Sequence, residues 1–213
     1  METKVKNSPS VGGRIVIIKY NAGNIQSVLY ALERIGVDAV VTANHEEILA
    51  ADKVIFPGVG EANSAMNSLK ENNLDQIIKS LKQPVLGICV GMQLMCKYSE
   101  ENNTECLGIF DEPVKKFDST TFKIPQIGWN TLYHLKSPLM QGIDENSYCY
   151  FVHSYYVPLN EHAIATTNYI QPYASAIHKN NFYGVQFHAE KSAQVGERIL
   201  KNFIELSPTS KGE

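Results

Sequence analysis

Hydrophobic and polar positions divide the chain into two textures. In the first, short apolar runs alternate with stretches of helical spacing. Arg14 to Tyr20 (RIVIIKY) reads as the first strand. Ile25, Val28, Leu29, Leu32 and Ile35 follow at helical spacing, and Gly36 closes that helix. Ala39 to Val41 predicts a second strand and Lys53 to Phe56 a third, ending at Pro57-Gly58. Helices are predicted over Ala62–Leu69 and Leu74–Leu81, and Pro84 to Ile88 is a short buried strand running into Cys89. This alternation predicts an α/β domain: a parallel sheet covered on both faces, with ligands beyond the carboxyl ends of its strands.

After about Glu100 the texture changes to short alternating segments. These are Val114–Phe117, Trp129–Leu135, Tyr148–Val152, Ala163–Thr167, Ala174–His178 and Tyr183–Phe187. Several are expected as antiparallel additions to the sheet. Val195, Ile199, Leu200, Phe203 and Ile204 mark a last amphipathic helix. No linker or repeat interrupts the pattern, so one domain is expected over residues 14–207. A loose polar lead-in (1–13) precedes it and a polar tail (208–213) follows.

Composition narrows the function classes. The 213 residues are 44% hydrophobic and 19% charged, ordinary for a globular domain. A net charge of -3 gives no reason to expect nucleic acid. No run approaches the ~20 apolar residues that span a bilayer, and Met1–Gly13 lacks the apolar core of a secretory signal. A cytoplasmic protein is expected. The four cysteines, Cys89, Cys96, Cys106 and Cys149, show no metal-ligand spacing, so neither metal nor cofactor is expected, and free thiols are.

One thiol stands apart. Gly87-Ile88-Cys89-Val90-Gly91 lies between an apolar strand and a helical stretch, Met92 to Tyr98. A nucleophile between glycines on a strand-to-helix turn is exposed by the sharp bend, and the helix N-terminus behind it favours the thiolate. The competing reading is a buried cysteine in a Gly-rich turn. A base and its orienting group follow at His188-Ala189-Glu190. In extended chain residues i and i+2 point the same way, so Glu190 can orient the imidazole while His188 moves the proton. Among the other histidines only His45 has a carboxylate two residues on, Glu47. That pair reads as the first turn of a helix capped by Asn44, where side chains diverge. Pro57-Gly58-Val59-Gly60 ends the third strand with a mobile backbone able to aim N–H groups at an oxyanion, with the Val90 amide as second donor. A plain β-turn would have the same composition.

Together these segments resemble the class I (triad) glutamine amidotransferases over nearly the whole chain from Arg14. The resemblance rests on Pro57–Gly60, Gly87-Ile88-Cys89-Val90-Gly91-Met92-Gln93 and Gly184-Val185-Gln186-Phe187-His188-Ala189-Glu190. Tyr20–Asn24, Pro125–Asn130, Phe151–Tyr155 and Lys191-Ser192 support it. Ala189 stands where the family usually has Pro, which should loosen that turn, and Gln126-Ile127 replaces the commoner His-Met.

The resemblance implies a flavodoxin-like sheet with helices on both faces. It implies that Cys89, His188 and Glu190 hydrolyse glutamine through a γ-glutamyl thioester. Val59 and Val90 would supply the oxyanion hole; Gly58, Gly91, Gln93, Ser154 and Tyr155 would bind substrate. Ammonia would pass to a (β/α)8-barrel cyclase subunit in a heterodimer, with Asn21, Asn24, Trp129 and Lys191 facing it. Trp129, the single tryptophan, could instead be a core aromatic. The enzyme would idle until the partner binds its own ligand, with a peptide flip in Pro57–Gly60 as the switch. Related chains feed other synthases, surface-sugar amidation among them, and the residues leave that choice open. A different Cys hydrolase on the same sheet is opposed by Glu190 and Gln93.

Overall fold

A computed structural model describes residues 13–21 and 24–207. The expected lead-in up to residue 12, the tail at 208–213, and Ala22-Gly23 lie outside the described residues. The first half runs β1 (Ile15–Ile18), α1 (Ile25–Arg34), β2 (Ala39–Thr42), α2 (His45–Leu49) and β3 (Lys53–Gly58). Then come α3 (Ala62–Glu71), α4 (Leu74–Ser80), β4 (Val85–Cys89) and α5 (Val90–Leu94). The second half holds β5 (Tyr98–Ser99), β6 (Thr104–Glu105), β7 (Pro113–Lys116), β8 (Gln126–Thr131), β9 (Tyr148–His153) and β10 (Tyr155–Tyr156). It closes with β11 (Ala163–Tyr169), β12 (Gln171–Lys179), β13 (Phe182–Val185) and α6 (Ala193–Glu205).

The main sheet has seven strands in the order β11-β12-β13-β4-β3-β1-β2. From β2 to β13 neighbours are parallel, and β12 and β11 add antiparallel. Every residue of β1, β3, β4 and β13 is buried, because central parallel strands are covered on both faces. The chain steps from β1 outward to β2 and then back across to β3 and β4. Right-handed crossovers therefore put α1 on one face and α2, α3 and α4 on the other. The reversal leaves a crevice at the carboxyl ends of β1, β3 and β4, where such sheets take ligands. Beside the main sheet stand a small four-stranded sheet (β10-β7-β5-β6) and the antiparallel β8–β9 pair.

Two expectations are corrected. The helix after Cys89 covers Val90–Leu94, not Met92–Tyr98: Tyr98 already pairs with Glu105 as a strand. Leu94 and Cys96 carbonyls accept from Leu107 and Gly108, so the backbone bonds turn to the small sheet instead of continuing a helix. The strand read at Trp129–Leu135 begins at Gln126 and ends at Thr131. Tyr133 makes an isolated bridge to Thr166 instead. The reading of His45 and Glu47 matches: they open α2, and Asn44 Oδ1 accepts from Glu47 N at 3.0 Å.

No connecting residue separates β4 from α5, so the helix packs hard on β3. A Cβ added at Gly91 would stand 1.9 Å from the Phe56 carbonyl oxygen. Main chain cannot retreat as a flexible side chain would, so Gly91→Ala should destabilise the fold by roughly 1–3 kcal/mol, the usual cost of overpacking. Thermal denaturation reads this as a lower midpoint, and an unchanged midpoint would contradict so close a contact.

Candidate active site

Four parallel strands deliver their carboxyl ends to one place. Tyr20 stands past β1, Gly58 closes β3, Cys89 closes β4, and His188 lies three residues past β13. Cys89 has φ +54 and ψ -113, a conformation that costs a non-glycine residue about 1–3 kcal/mol and clusters at functional sites. The turn presents its side chain to a cavity of about 360 Å³, within the range of small-molecule sites. Cys89 is nonetheless 4% exposed.

His188 is held by its backbone as much as by its ring. Its N–H donates to the Tyr150 carbonyl of β9 at 2.9 Å, and its carbonyl accepts from Ser192 Oγ at 2.7 Å. That hydroxyl in turn accepts from Tyr150 N at 2.9 Å. Nδ1 meets Glu190 Oε1 at 2.8 Å, leaving the other ring nitrogen to interact with Cys89, whose thiol lies 3.8 Å from the Val152 carbonyl. The pairing with Glu190 is as expected, but its geometry is not. β13 ends at Val185, and Glu190 is brought round by a 3₁₀ turn over Ala189–Lys191. A Cβ on Gly196 would fall 1.9 Å from the Ala189 carbonyl oxygen, so α6 seats that turn directly.

Electrostatics separate the two histidines of the cavity. Burial works against a charge on His188, but Cys89 and Glu190, as hydrogen-bond partners and counter-charges, raise it to about 10. His153 is pushed down to about 4, chiefly by burial. Near neutral pH His188 therefore carries a proton and His153 does not, so the neutral ring of His153 serves to bond the Tyr155 carbonyl (2.7 Å) and Tyr173 Oη (3.2 Å). Glu190 Oε2 is buried with no hydrogen-bond partner among the described residues. Such an oxygen is costly to bury.

Of the other expected residues, Val59, Val90, Gln93, Ser154 and Tyr155 line the cavity. Gly58 and Gly91 do not line it; they pack on each other, and a Cβ on Gly58 would meet Gly91 N at 2.5 Å. Gln93 Nε2 donates to the Tyr155 carbonyl at 3.0 Å and to Gln186 Oε1 at 2.9 Å. Lys191, expected to face a partner, also lines the cavity. Asn21 is exposed, and Asn24 precedes α1 without capping it through its side chain. Trp129 is 52% exposed, which removes the core-aromatic reading. It packs edge-on against Tyr150 at 5.9 Å, so it sits one residue from the backbone bond that holds His188.

The structure adds residues the sequence reading did not single out. Gln186 is fully buried, its Nε2 3.8 Å from Cys89 Sγ. Ser192 fixes the His188 loop, as above. Glu101 brings a half-buried carboxylate to the cavity, its Oε2 accepting from Ala62 N at 2.7 Å. Burial raises its pKa. Gln186 and Ser192 lie inside the motif segments, so a period-2 reading past β13 could have flagged Gln186. Glu101 sits in an ordinary charged run, with nothing in spacing to mark it. Among the described residues no group of three or more His, Cys, Asp or Glu could hold a metal ion, and no helix is long and apolar enough to cross a membrane.

The family model "Glutamine amidotransferase class-I" matches residues 16–206. A curated relative from Bacteroides fragilis, "Imidazole glycerol phosphate synthase subunit HisH", is 59% identical over 91% of this chain and 100% of its own length. One of the same name from Haemophilus influenzae is 47% identical over 91% of this chain and 98% of its own. Among solved structures, a crystal structure of a glutamine amidotransferase superposes with a TM-score of 0.70. It shares 16% identity and covers 91% of this chain and 98% of that one. At that identity the likeness concerns the fold alone.

The His188 assignment has a pH signature. A pKa raised from about 6.5 unfolded to about 10 folded contributes stability that is complete below pH about 6.5 and lost as pH rises through about 10. Imidazole NMR should show His188 charged through neutrality, and Glu190→Gln should bring its titration down towards the unperturbed value. A wild-type His188 titrating near 6.5 would contradict the coupling.

Proposed function

Because this chain belongs to the class-I glutamine amidotransferase family, we propose that it hydrolyses glutamine to glutamate and ammonia as the glutaminase subunit of an imidazole glycerol phosphate synthase in histidine biosynthesis. The observation that carries the reading is the meeting of Cys89 and His188, drawn from two distant parts of the chain, on one cavity that also holds Gln93, with Glu190 bonded to His188. The curated relatives name the synthase.

In this mechanism Cys89 Sγ attacks the side-chain amide carbon of glutamine. The oxygen becomes an oxyanion, for which backbone N–H groups at Val59 and Val90 are the donors. The carbon–nitrogen bond breaks as the His188 proton passes to the leaving nitrogen, giving ammonia and a γ-glutamyl thioester. Water then adds to the thioester, giving one proton to His188, and the carbon–sulfur bond breaks to restore the thiolate beside the charged imidazole and release the new carboxylic acid, which loses its proton to solvent as glutamate. Glu190 holds the imidazole throughout. The Glu101 carboxylate supplies the negative charge that the α-ammonium of the substrate needs, and Lys191 the positive charge for its carboxylate.

The ammonia goes to a cyclase subunit of (β/α)8-barrel form. The support is a face, not a bound partner. Along β8 and β9 the buried side takes Gln126, Cys149, Phe151 and His153, while Ile127, Trp129, Tyr148, Tyr150 and Val152 point outward. Ile127, Trp129 and Tyr148 are 64%, 52% and 59% exposed. An apolar face of this kind marks an interaction surface, and through Val152 it reaches the cavity rim. A docked partner would receive ammonia before water protonates it, in the cytoplasm where these metabolites are made. Asn21, Asn24 and Lys191 belong to the same partner-facing side, and a peptide flip in Pro57–Gly60 switches the oxyanion donor on when the partner is loaded. The functional domain spans 14–207.

Cys89→Ala should lower glutamate release by at least about 10³-fold, the scale on which loss of a nucleophile is felt. Turnover that survives the substitution would defeat the assignment. Adding the cyclase subunit with its nucleotide substrate should raise the wild-type rate at least about tenfold, and equal rates would remove the coupling.

A further inference from the structure

Tyr20 is a buried tyrosine that the reaction above does not use. It stands two residues past β1, its ring centroid 5.4 Å from that of Phe56 in β3. Its hydroxyl donates to the Pro57 carbonyl at 2.7 Å. Burial, and then the nearness of Cys89, holds that hydroxyl in its protonated, donating form.

The place of this bond in the sheet gives it meaning. β1 pairs with β3 only as far as Ile17–Ile55, whereas β4 stays in register with β3 through Gly58–Cys89. The last residues of β3 are thus held by a ladder on the β4 side and lack a strand on the other. Tyr20 supplies the missing partner from its side chain. A Cβ on Gly58 would fall 2.9 Å from the Tyr20 hydroxyl and 2.5 Å from Gly91 N, so the strand end is gripped between Tyr20 and the start of α5. The next residue is tied down as well, Asn21 N donating to Ser68 Oγ of α3 at 3.1 Å.

Resting on the glutaminase reading, we infer that Tyr20 is a positioning residue for glutamine hydrolysis, its hydroxyl fixing the Pro57–Gly58 peptide and so the aim of the strand-end donors over Cys89. The oxyanion exists only on the way to products. Looser aim therefore costs turnover and spares substrate binding.

Tyr20→Phe removes the hydroxyl and keeps the ring. In the complex with the cyclase subunit it should lower kcat for glutamate release about tenfold, less than the loss of an oxyanion donor itself. KM should stay within about twofold of wild type. Iodoacetamide should alkylate Cys89 at the wild-type rate, since the thiol's own surroundings are kept. A hydroxyl that merely filled space would shift the thermal midpoint and leave kcat alone. Tyr20→Met, whose flexible chain refills the site, must show the same loss and serves if the Phe variant does not fold. A folded variant with kcat equal to or above wild type, or a loss confined to KM, overturns the inference alone. Two variants that both fail to fold make the hydroxyl a folding determinant and overturn it too. A wild-type complex that releases no glutamate overturns the functional reading and the inference with it.

Discussion

The joint between β4 and α5 has no slack, and the rest of the site follows from that. With the helix starting at Val90, immediately after the strand's last residue, Cys89 alone must absorb the change of direction, and it does so at φ +54. Glycine is excluded there by the need for a thiol, and anything but glycine is excluded at 91, where even one carbon would collide with the Phe56 carbonyl. The strain of about 1–3 kcal/mol is sustained by a fully buried central sheet on both sides of the turn. A softer connection would let Cys89 relax into the core like Cys96 and Cys149, whose thiols burial drives upward and out of use.

Once the sulfur is fixed, the base has to come to it. The loop after β13 arrives with its backbone tied to β9 through Tyr150 and to Ser192, and α6 presses on the turn that carries Glu190. The same β9 residue that accepts the His188 N–H lies under Trp129 on the outward apolar face. In the proposed function, catalytic base and docking face therefore share one strand pair.

How much of this the sequence disclosed varies with the kind of constraint. The central strands were legible because burial on both faces makes them uniformly apolar, and α2 because Asn44 caps it through a local bond. That Cys89 and His188 would meet was legible because each sits in a short, distinctive segment at the end of a buried strand. The helix after Cys89 was misjudged because its end is set by bonds to Leu107 and Gly108, far along the chain. Glu190 was paired correctly for a reason that did not hold, since a 3₁₀ turn and not an extended strand brings it round. Tyr20, Ser192 and Glu101 are each tied to distant backbone by a hydrogen bond, and no periodicity records those.

The central claim is that Cys89 carries the glutamyl group during turnover. Acid quenching of the complex during steady-state hydrolysis of isotopically labelled glutamine, followed by peptide mass spectrometry, tests it directly. The account predicts a labelled glutamyl adduct on the Cys89 peptide, removed by hydroxylamine as a thioester should be. Continued glutamate release with no adduct, or with the adduct on Cys96, Cys106 or Cys149, would contradict it.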